Sequence, residues 1–296
     1  MSRKGGAAGP DGLVVVDKAA GWTSHDVVAK SRGLLGTRKV GHAGTLDPDA
    51  TGVLLLGVGR VTRLLRFLTA LPKTYTCEIV LGIETSTLDA SGEVTATHDM
   101  GVVSVEAVRT AAASLTGDIL QVPPMVSAVK VDGKRLHQLA REGVEVERDA
   151  RPVTVHRFTV DPTPDPLVLA AEVECSSGTY VRTLAADLGA ALGGGAHLRS
   201  LRRTVIGSFT LADAHPLEAV SPDVVLTPAE ALRDYVAVPA TADDVVAVGH
   251  GRPLATDERF AGPGPWAIVD DDRRLLAVYA AKGAGTARPE VVLAPA

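Results

Sequence analysis

Three stretches of this chain alternate apolar and polar residues: "KTYTCEIVLG" from Lys73, "VTVHRFTV" from Val153 and "LVLAAEVEC" from Leu167. A period of two sends successive side chains to opposite faces, so each stretch predicts a half-buried strand. In the first, Tyr75, Cys77, Ile79 and Leu81 share one face. The helical period appears elsewhere, in "SVEAVRTAAASL" from Ser104 and in "VRTLAADLGAAL" from Val181. The second puts Val181, Leu184, Ala185, Leu188 and Leu192 on one face. Two continuous apolar runs, "LVVVD" from Leu13 and Val53 to Val58, predict short buried strands. Ser24 reads as the cap of a helix ending near Gly33 or Gly36, and a helix carrying Arg60, Arg63 and Arg66 follows the second run. Strands that are adjacent in places and separated by helices in others indicate an α+β domain.

Beyond "LTPAEALRDYVAVPATADD" the pattern changes. "GPWAIVDDDRRLLAVYAAK" predicts a hairpin around an acidic turn, and "RPEVVLAPA" one more strand. Residues 1–235 are therefore expected to form the main domain, and 236–296 a small β-rich one. The formal net charge is −5. Leu217 to Ala296 holds 7 basic against 12 acidic residues, and the remainder holds 23 of each. The chain is thus no wholesale polyanion binder, but local basic patches can still meet phosphates. One candidate is the acid-free set Arg60, Arg63, Arg66 and Lys73, and another is "HLRSLRR", His197 to Arg203. With 3% aromatic residues, any contact with bases leans on few rings. Cys77 and Cys175 stand far apart, outside any C-x-x-C pair, which fits neither a zinc ribbon nor a disulfide framework. That usage, with no apolar run of membrane-spanning length and no h-region, leads us to expect a cytoplasmic protein without a membrane segment.

The stretch "GHAGTLDPDATGVLLLGVGR", Gly41 to Arg60, carries the sharpest question. Asp47 before Pro48 reads by itself as a turn residue, because Asp accepts backbone hydrogen bonds and proline fixes φ. A calcium loop beginning at Asp47 would need a bidentate Glu where Val58 stands. "GTRKVGH" has phosphate-loop glycine spacing but lacks the Lys-Ser/Thr pair. "SAVK" matches S-x-x-K without its companion elements, and neither G-x-S-x-G nor H-E-x-x-H occurs. No cofactor and no metal are expected. What remains is a carboxylate, which can act as a nucleophile. If buried, it needs a cation, and arginine suits because its charge is permanent.

From residue 12 to 215 the chain resembles the TruB family of tRNA pseudouridine synthases. The resemblance rests on "VVVDKAAGWTSHDVV", "KVGHAGTLDPDATGVLLLGVGRVTRL", "KTYTCEIVLGIETSTLDASGEV", "QVPPMVSAVKVDGKRLHQLAREGVEVER" and "CSSGTYVRTLAADLGAALGGGAHLRSLRRTVIG", all in order. Ala19 departs from the usual proline. The closing segment resembles a PUA-type RNA-binding domain. The family fold is a mixed, mostly antiparallel sheet flanked by helices. The resemblance implies isomerisation of uridine 55 in the T loop of tRNA, with Asp47 as nucleophile and Tyr75 stacked on the target base. It makes Arg182 the arginine that pairs with the aspartate, Tyr180 a pocket tyrosine and His42 a contact beside the flipped base. Lys18 and Leu198 are expected to line the site. Met125 to Arg148 is expected to be a mobile flap over the T arm. In the C-terminal domain, Arg273, Arg274, Lys282 and Arg288 are the candidate RNA contacts. Nothing resembles a dimer seam, so a monomer is expected. Two other readings are a tRNA-folding chaperone with secondary catalysis, and a guide-RNA-dependent relative of the dyskerin type.

Overall fold

The computed structural model describes residues 9–127, 130–131, 134–135, 144, 146–283 and 285–293. The chain opens with strand β1 (Gly12–Lys18), helix α1 (Ser24–Leu34), and strands β2 (Val40–Ala43) and β3 (Thr51–Val58). A 3-10 turn (Gly59–Leu64) runs into the short helix α2 (Leu65–Ala70). Next come β4 (Lys73–Leu81), β5 (Ile83–Thr85), β6 (Val94–Thr97), α3 (Val105–Ser114) and β7 (Gly117–Gln121). They are followed by β8 (Lys130–Val131), β9 (Lys134–Arg135), β10 (Arg151–Pro162), β11 (Val168–Cys175), α4 (Val181–Ala191) and β12 (Ala196–Ile206). The last part holds β13 (Phe209–Thr210), β14 (His215–Pro216), β15 (Val236–Pro239) and α5 (Ala242–Gly249). It ends with β16 (Leu254–Ala255), β17 (Trp266–Val269), β18 (Leu275–Ala281) and β19 (Thr286–Val292).

Contacts divide the chain into two compact units, Met1–Pro48 with Gly52–Thr69 and Gly207–Ala296, and Asp49–Thr51 with Ala70–Ile206. In the first unit β1 and β3 pair antiparallel, from Gly12 opposite Val58 to Lys18 opposite Gly52. β2 pairs antiparallel with β3, and β14 runs parallel to β1. Both apolar runs are buried on each face, which is why their sequences do not alternate. Val14, Val16, Leu54 and Leu56 pack on Val27 and Val28 of α1. Burying each such side chain contributes roughly 1.5–3 kcal/mol. Thr23, not Ser24, is the N-cap of α1, and the helix ends at Leu34.

The C-terminal part of this unit forms a five-stranded sheet in the order β15-β17-β18-β19-β16. β15 and β17 are parallel and the other pairings antiparallel, so the expected hairpin around Asp270–Arg274 is present. Its core holds Val238, Val248, Phe260, Trp266, Ile268 and Tyr279. The Tyr279 hydroxyl donates to the Arg252 carbonyl at 2.8 Å, and the Trp266 indole to Ala261 at 2.8 Å.

The second unit is a sheet in the order β12-β4-β11-β10-β7, antiparallel throughout. All three alternating stretches are strands in it, with Tyr75, Cys77, Ile79 and Leu81 on the buried face of β4. Ser104 caps α3 by accepting the Ala107 N–H. β8 and β9 pair with each other, and most of the Met125–Arg148 segment lies outside the described residues. Among the described residues no helix is long and apolar enough to cross a membrane.

Both basic patches read from the sequence are taken up by the fold. Arg60 pairs with Asp11 at 2.5 Å and donates to the Leu293 carbonyl at 2.7 Å. Arg63 donates to Val292 at 2.7 Å, and Arg66 pairs with Glu290 at 2.5 Å. The three arginines, presented at intervals of three by the 3-10 turn and α2, thus clasp the end of β19. In "HLRSLRR", His197 meets the Ile83 carbonyl, Arg199 pairs with Glu78 at 2.9 Å, and Arg203 is 1% exposed. The reason is physical: these guanidinium forks meet carbonyls and carboxylates from strands far away in sequence. Replacing Arg63 and Arg66 together by Ala is expected to lower the local opening free energy of β19 by about 1 kcal/mol. Native-state hydrogen exchange at Val291 and Val292 measures this, and unchanged protection there would refute the clasp.

Candidate active site

Asp47 lies half-buried in the loop between β2 and β3, flanked by buried Leu46 and Ala50. Gly44 (φ 80°) and Gly52 (φ 101°) turn the chain into and out of it, conformations that side chains rarely adopt. The backbone on each side of Asp47 is held. Ser24 Oγ accepts the Leu46 N–H at 2.8 Å and donates to the Leu46 carbonyl at 3.0 Å. On the other side, the Pro48 carbonyl accepts from Lys18 Nζ at 2.8 Å and from the Gly21 N–H at 3.0 Å.

Lys18 is fully buried, and its ammonium also donates to the carbonyls of Trp22 at 2.7 Å and Ala19 at 3.0 Å. A buried cation needs such acceptors, and carbonyls turned inward by the loop supply them. Lys18, expected from the sequence to line the site, lies beneath the loop and supports it through these carbonyls. His42 is on β2 opposite Leu56, partly exposed, in the same unit.

The other expected residues belong to the second unit. Tyr75 is on β4 opposite Val173 and Arg203, 8% exposed. Tyr180 is the N-cap residue of α4 and makes no side-chain cap. Instead the Gln121 amide brackets its backbone, accepting the Tyr180 N–H at 2.6 Å and donating to its carbonyl at 3.1 Å. Arg182, the second residue of α4 and buried, donates to Val126 O at 2.7 Å, Thr87 O at 3.3 Å and Asp89 Oδ2 at 3.1 Å.

Asp89 was not singled out from the sequence. Its Oδ1 accepts from Thr87 Oγ1 at 2.6 Å, Ser91 Oγ at 2.6 Å and the Ser91 N–H at 3.1 Å. Burial works to raise its pKa, but the bonds from Ser91 and Thr87 and the Arg182 charge outweigh it and hold the carboxyl below its ordinary value. The readable signal was T-x-D-x-S in "STLDASG", a carboxylate with hydroxyls two positions to either side. Leu198 supports this segment through its backbone: its N–H donates to Leu88 O at 3.0 Å and its carbonyl accepts the Ala90 N–H at 2.9 Å. Leu88 itself sits at φ 62°. Within this unit, then, the arginine expected to serve a carboxylate has Asp89 as its ion-pair partner.

The remaining ionisable groups nearby differ in character. Burial pulls Lys73 down to about 8, helped by the Arg203 charge, and its ammonium donates to Leu71 O at 2.6 Å. Burial pushes Cys77 up to about 12 and Cys175 up to about 11, so both stay thiols and neither is a nucleophile at neutral pH. An open groove of about 670 Å³ beside β4 is lined by Asp49, Thr76, Glu78, Glu172 and Arg202, among others. Its carboxylates make it a poor seat for phosphate.

Asp89→Asn is expected to destabilise the protein by on the order of 3 kcal/mol near neutral pH, because it breaks the buried ion pair with Arg182. The sign follows from the depressed carboxyl: its contribution is complete above the unfolded-state value near 3.9 and is lost as pH falls through the lower folded-state value. The gap between wild type and Asp89→Asn in urea denaturation should therefore narrow below about pH 4. A gap constant from pH 7 to pH 3 would sink this account.

The model of the TruB family pseudouridylate synthase N-terminal domain matches residues 32–181, and that of the tRNA pseudouridylate synthase B C-terminal domain matches 182–239. The chain is similar to tRNA pseudouridine synthase B of Arthrobacter sp. (strain FB24), 48% identical over 96% of this chain and 97% of the relative. It is 50% identical to tRNA pseudouridine synthase B of Corynebacterium aurimucosum, over 92% and 93% of the two chains. Among solved structures it resembles a chain of a Cbf5-Nop10-Gar1 complex, with a TM-score of 0.75, 25% identity, and coverage of 96% and 85%.

Proposed function

The chain belongs to the TruB family of pseudouridylate synthases, which makes it an isomerase, and on that premise we propose that it converts uridine 55 in the T loop of tRNA to pseudouridine. The observation that carries the reading is "HAGTLDPDATG", with Asp47 in a loop whose backbone is held on both sides. The C1′–N1 bond breaks, the uracil turns, and C1′ bonds to C5. The C5 proton leaves to solvent and N1 gains a proton. Asp47 is the nucleophile, dividing one hard step into two easier ones. Two atoms are open to its attack, C6 of the base and C1′ of the ribose.

A base inside a folded loop must be flipped out before it reacts, at a cost of a few kcal/mol. Tyr75 and Tyr180 receive the flipped base, His42 contacts the RNA beside it, and Leu198 walls the pocket. Arg182 supplies the permanent positive charge that a carboxylate needs to stay ionised in a low-dielectric site. Asp89 orients that guanidinium.

Residues 236–296 serve as a PUA-like RNA-binding domain on the T-arm side of the reading. Of its four candidate cations, Arg274 is neutralised by Asp270 at 2.8 Å and Asp272 at 2.9 Å. Exposed Arg273, Lys282 and Arg288 then carry the phosphate contact, on a protein that acts as a cytoplasmic monomer.

Asp47→Asn is expected to abolish tritium release from C5-labelled uridine in an unmodified transcript, with tRNA affinity within about twofold of wild type. Turnover by the purified variant would remove Asp47 from the mechanism. Lys282→Glu combined with Arg288→Glu should weaken tRNA binding and reduce the slope of log affinity against log salt by about 1–2. An unchanged slope would mean that this surface does not touch RNA.

A further inference from the structure

We infer that Ser24 is a positioning residue for the reaction: its one hydroxyl, bonded to both the N–H and the carbonyl of Leu46, sets the peptide that carries Asp47 into the site. The inference rests on the reading of Asp47 as nucleophile.

The chain has two adjacent hydroxyl residues at the start of α1, and the fold gives them different work. Thr23 closes a capping box: its Oγ1 accepts the Asp26 N–H at 3.0 Å, and Asp26 Oδ2 accepts the Thr23 N–H at 3.0 Å. The helix end is thereby satisfied without Ser24. Ser24, the first residue of the helix, is 2% exposed, and its hydroxyl crosses to a residue 22 positions later. A hydroxyl offers one donor and two acceptor positions, so it can meet both polar groups of a single residue. Here it does, at 2.8 Å and 3.0 Å.

The consequence for Asp47 follows from backbone geometry. Each peptide is planar, so only φ and ψ of Asp47 separate the plane led by the Leu46 carbonyl from the next one. The carbonyl of the plane before is held by Ser24, and the Pro48 carbonyl beyond is held by Lys18 and Gly21. With the chain pinned on both sides, placing the carboxylate is left mainly to side-chain rotation. Loops are otherwise the mobile parts of a fold, and a displacement of about 1 Å can cost on the order of 100-fold in rate. Helix α1 is itself seated in the core through Val27 and Val28, so the hydroxyl projects from a rigid element.

The test compares Ser24→Ala with Val28→Ala, which loosens the same helix from the core and keeps the Ser24 hydroxyl. For Ser24→Ala, single-turnover tritium release should slow by about 10- to 100-fold, with KM and tRNA affinity within about twofold of wild type. Val28→Ala should lower Tm at an undiminished rate, and Ser24→Thr, which restores the hydroxyl, should recover most of the rate. Should Ser24→Ala prove insoluble, Ser24→Cys carries the same comparison, because a thiol is too weak a donor and acceptor to replace both bonds. A Ser24→Ala or Ser24→Cys rate within about twofold of wild type would overturn the inference. So would a loss no larger than that of Val28→Ala at equal Tm. Asp47→Asn is run beside them. If it turns over, the nucleophile reading fails whatever Ser24 does; if it is dead while Ser24→Ala is fully active, only the positioning role fails.

Discussion

Lys18 ends β1 opposite Gly52, where the loop bearing Asp47 re-enters the sheet. The register of β1 against β3 therefore delivers a lysine beneath that loop. With no exposure to water its ammonium must find acceptors inside the protein, because an unsatisfied buried charge costs several kcal/mol. The carbonyls of Ala19, Trp22 and Pro48 meet that need, and in doing so the two loops that follow β1 and β2 become fixed to one point. The backbone around Asp47 is held in part by this demand for acceptors.

A parallel arrangement surrounds Asp89. There too the carboxylate stands between two anchored peptides, those of Leu88 and Ala90, held by the backbone of Leu198. Hydroxyls from Thr87 and Ser91 then fill one oxygen, leaving the other for Arg182. Both acidic residues are thus placed by their neighbours in sequence being tied down, which leaves few degrees of freedom to be lost when a substrate binds.

The arginines tell a different story. In a sequence of net charge −5, the acid-free run of Arg60, Arg63 and Arg66 looked suited to phosphate. In the fold their guanidinium groups are engaged by Asp11, Glu290 and the carbonyls at the end of β19. A count of charges along a sequence cannot anticipate this, because strand-end carbonyls also accept from guanidinium groups and carry no signature in the sequence. The same holds for Arg274, whose two aspartate partners come from the acidic turn beside it.

What the sequence by itself determined is local. Period-two alternation placed β4, β10 and β11, helical period placed α3 and α4, and two apolar runs placed β1 and β3. These follow from the spacing of neighbouring side chains, which backbone geometry converts directly into faces. The loop of Asp47 was legible from turn chemistry, an Asp before Pro48 ahead of the buried run of β3. Only the tertiary structure decided which groups meet across long separations: Arg182 with Asp89, Ser24 with Leu46, Lys18 with Pro48, Arg66 with Glu290. Those pairings depend on strand register and on how elements pack, and a polar side chain bonds whichever partner that packing brings within about 3 Å.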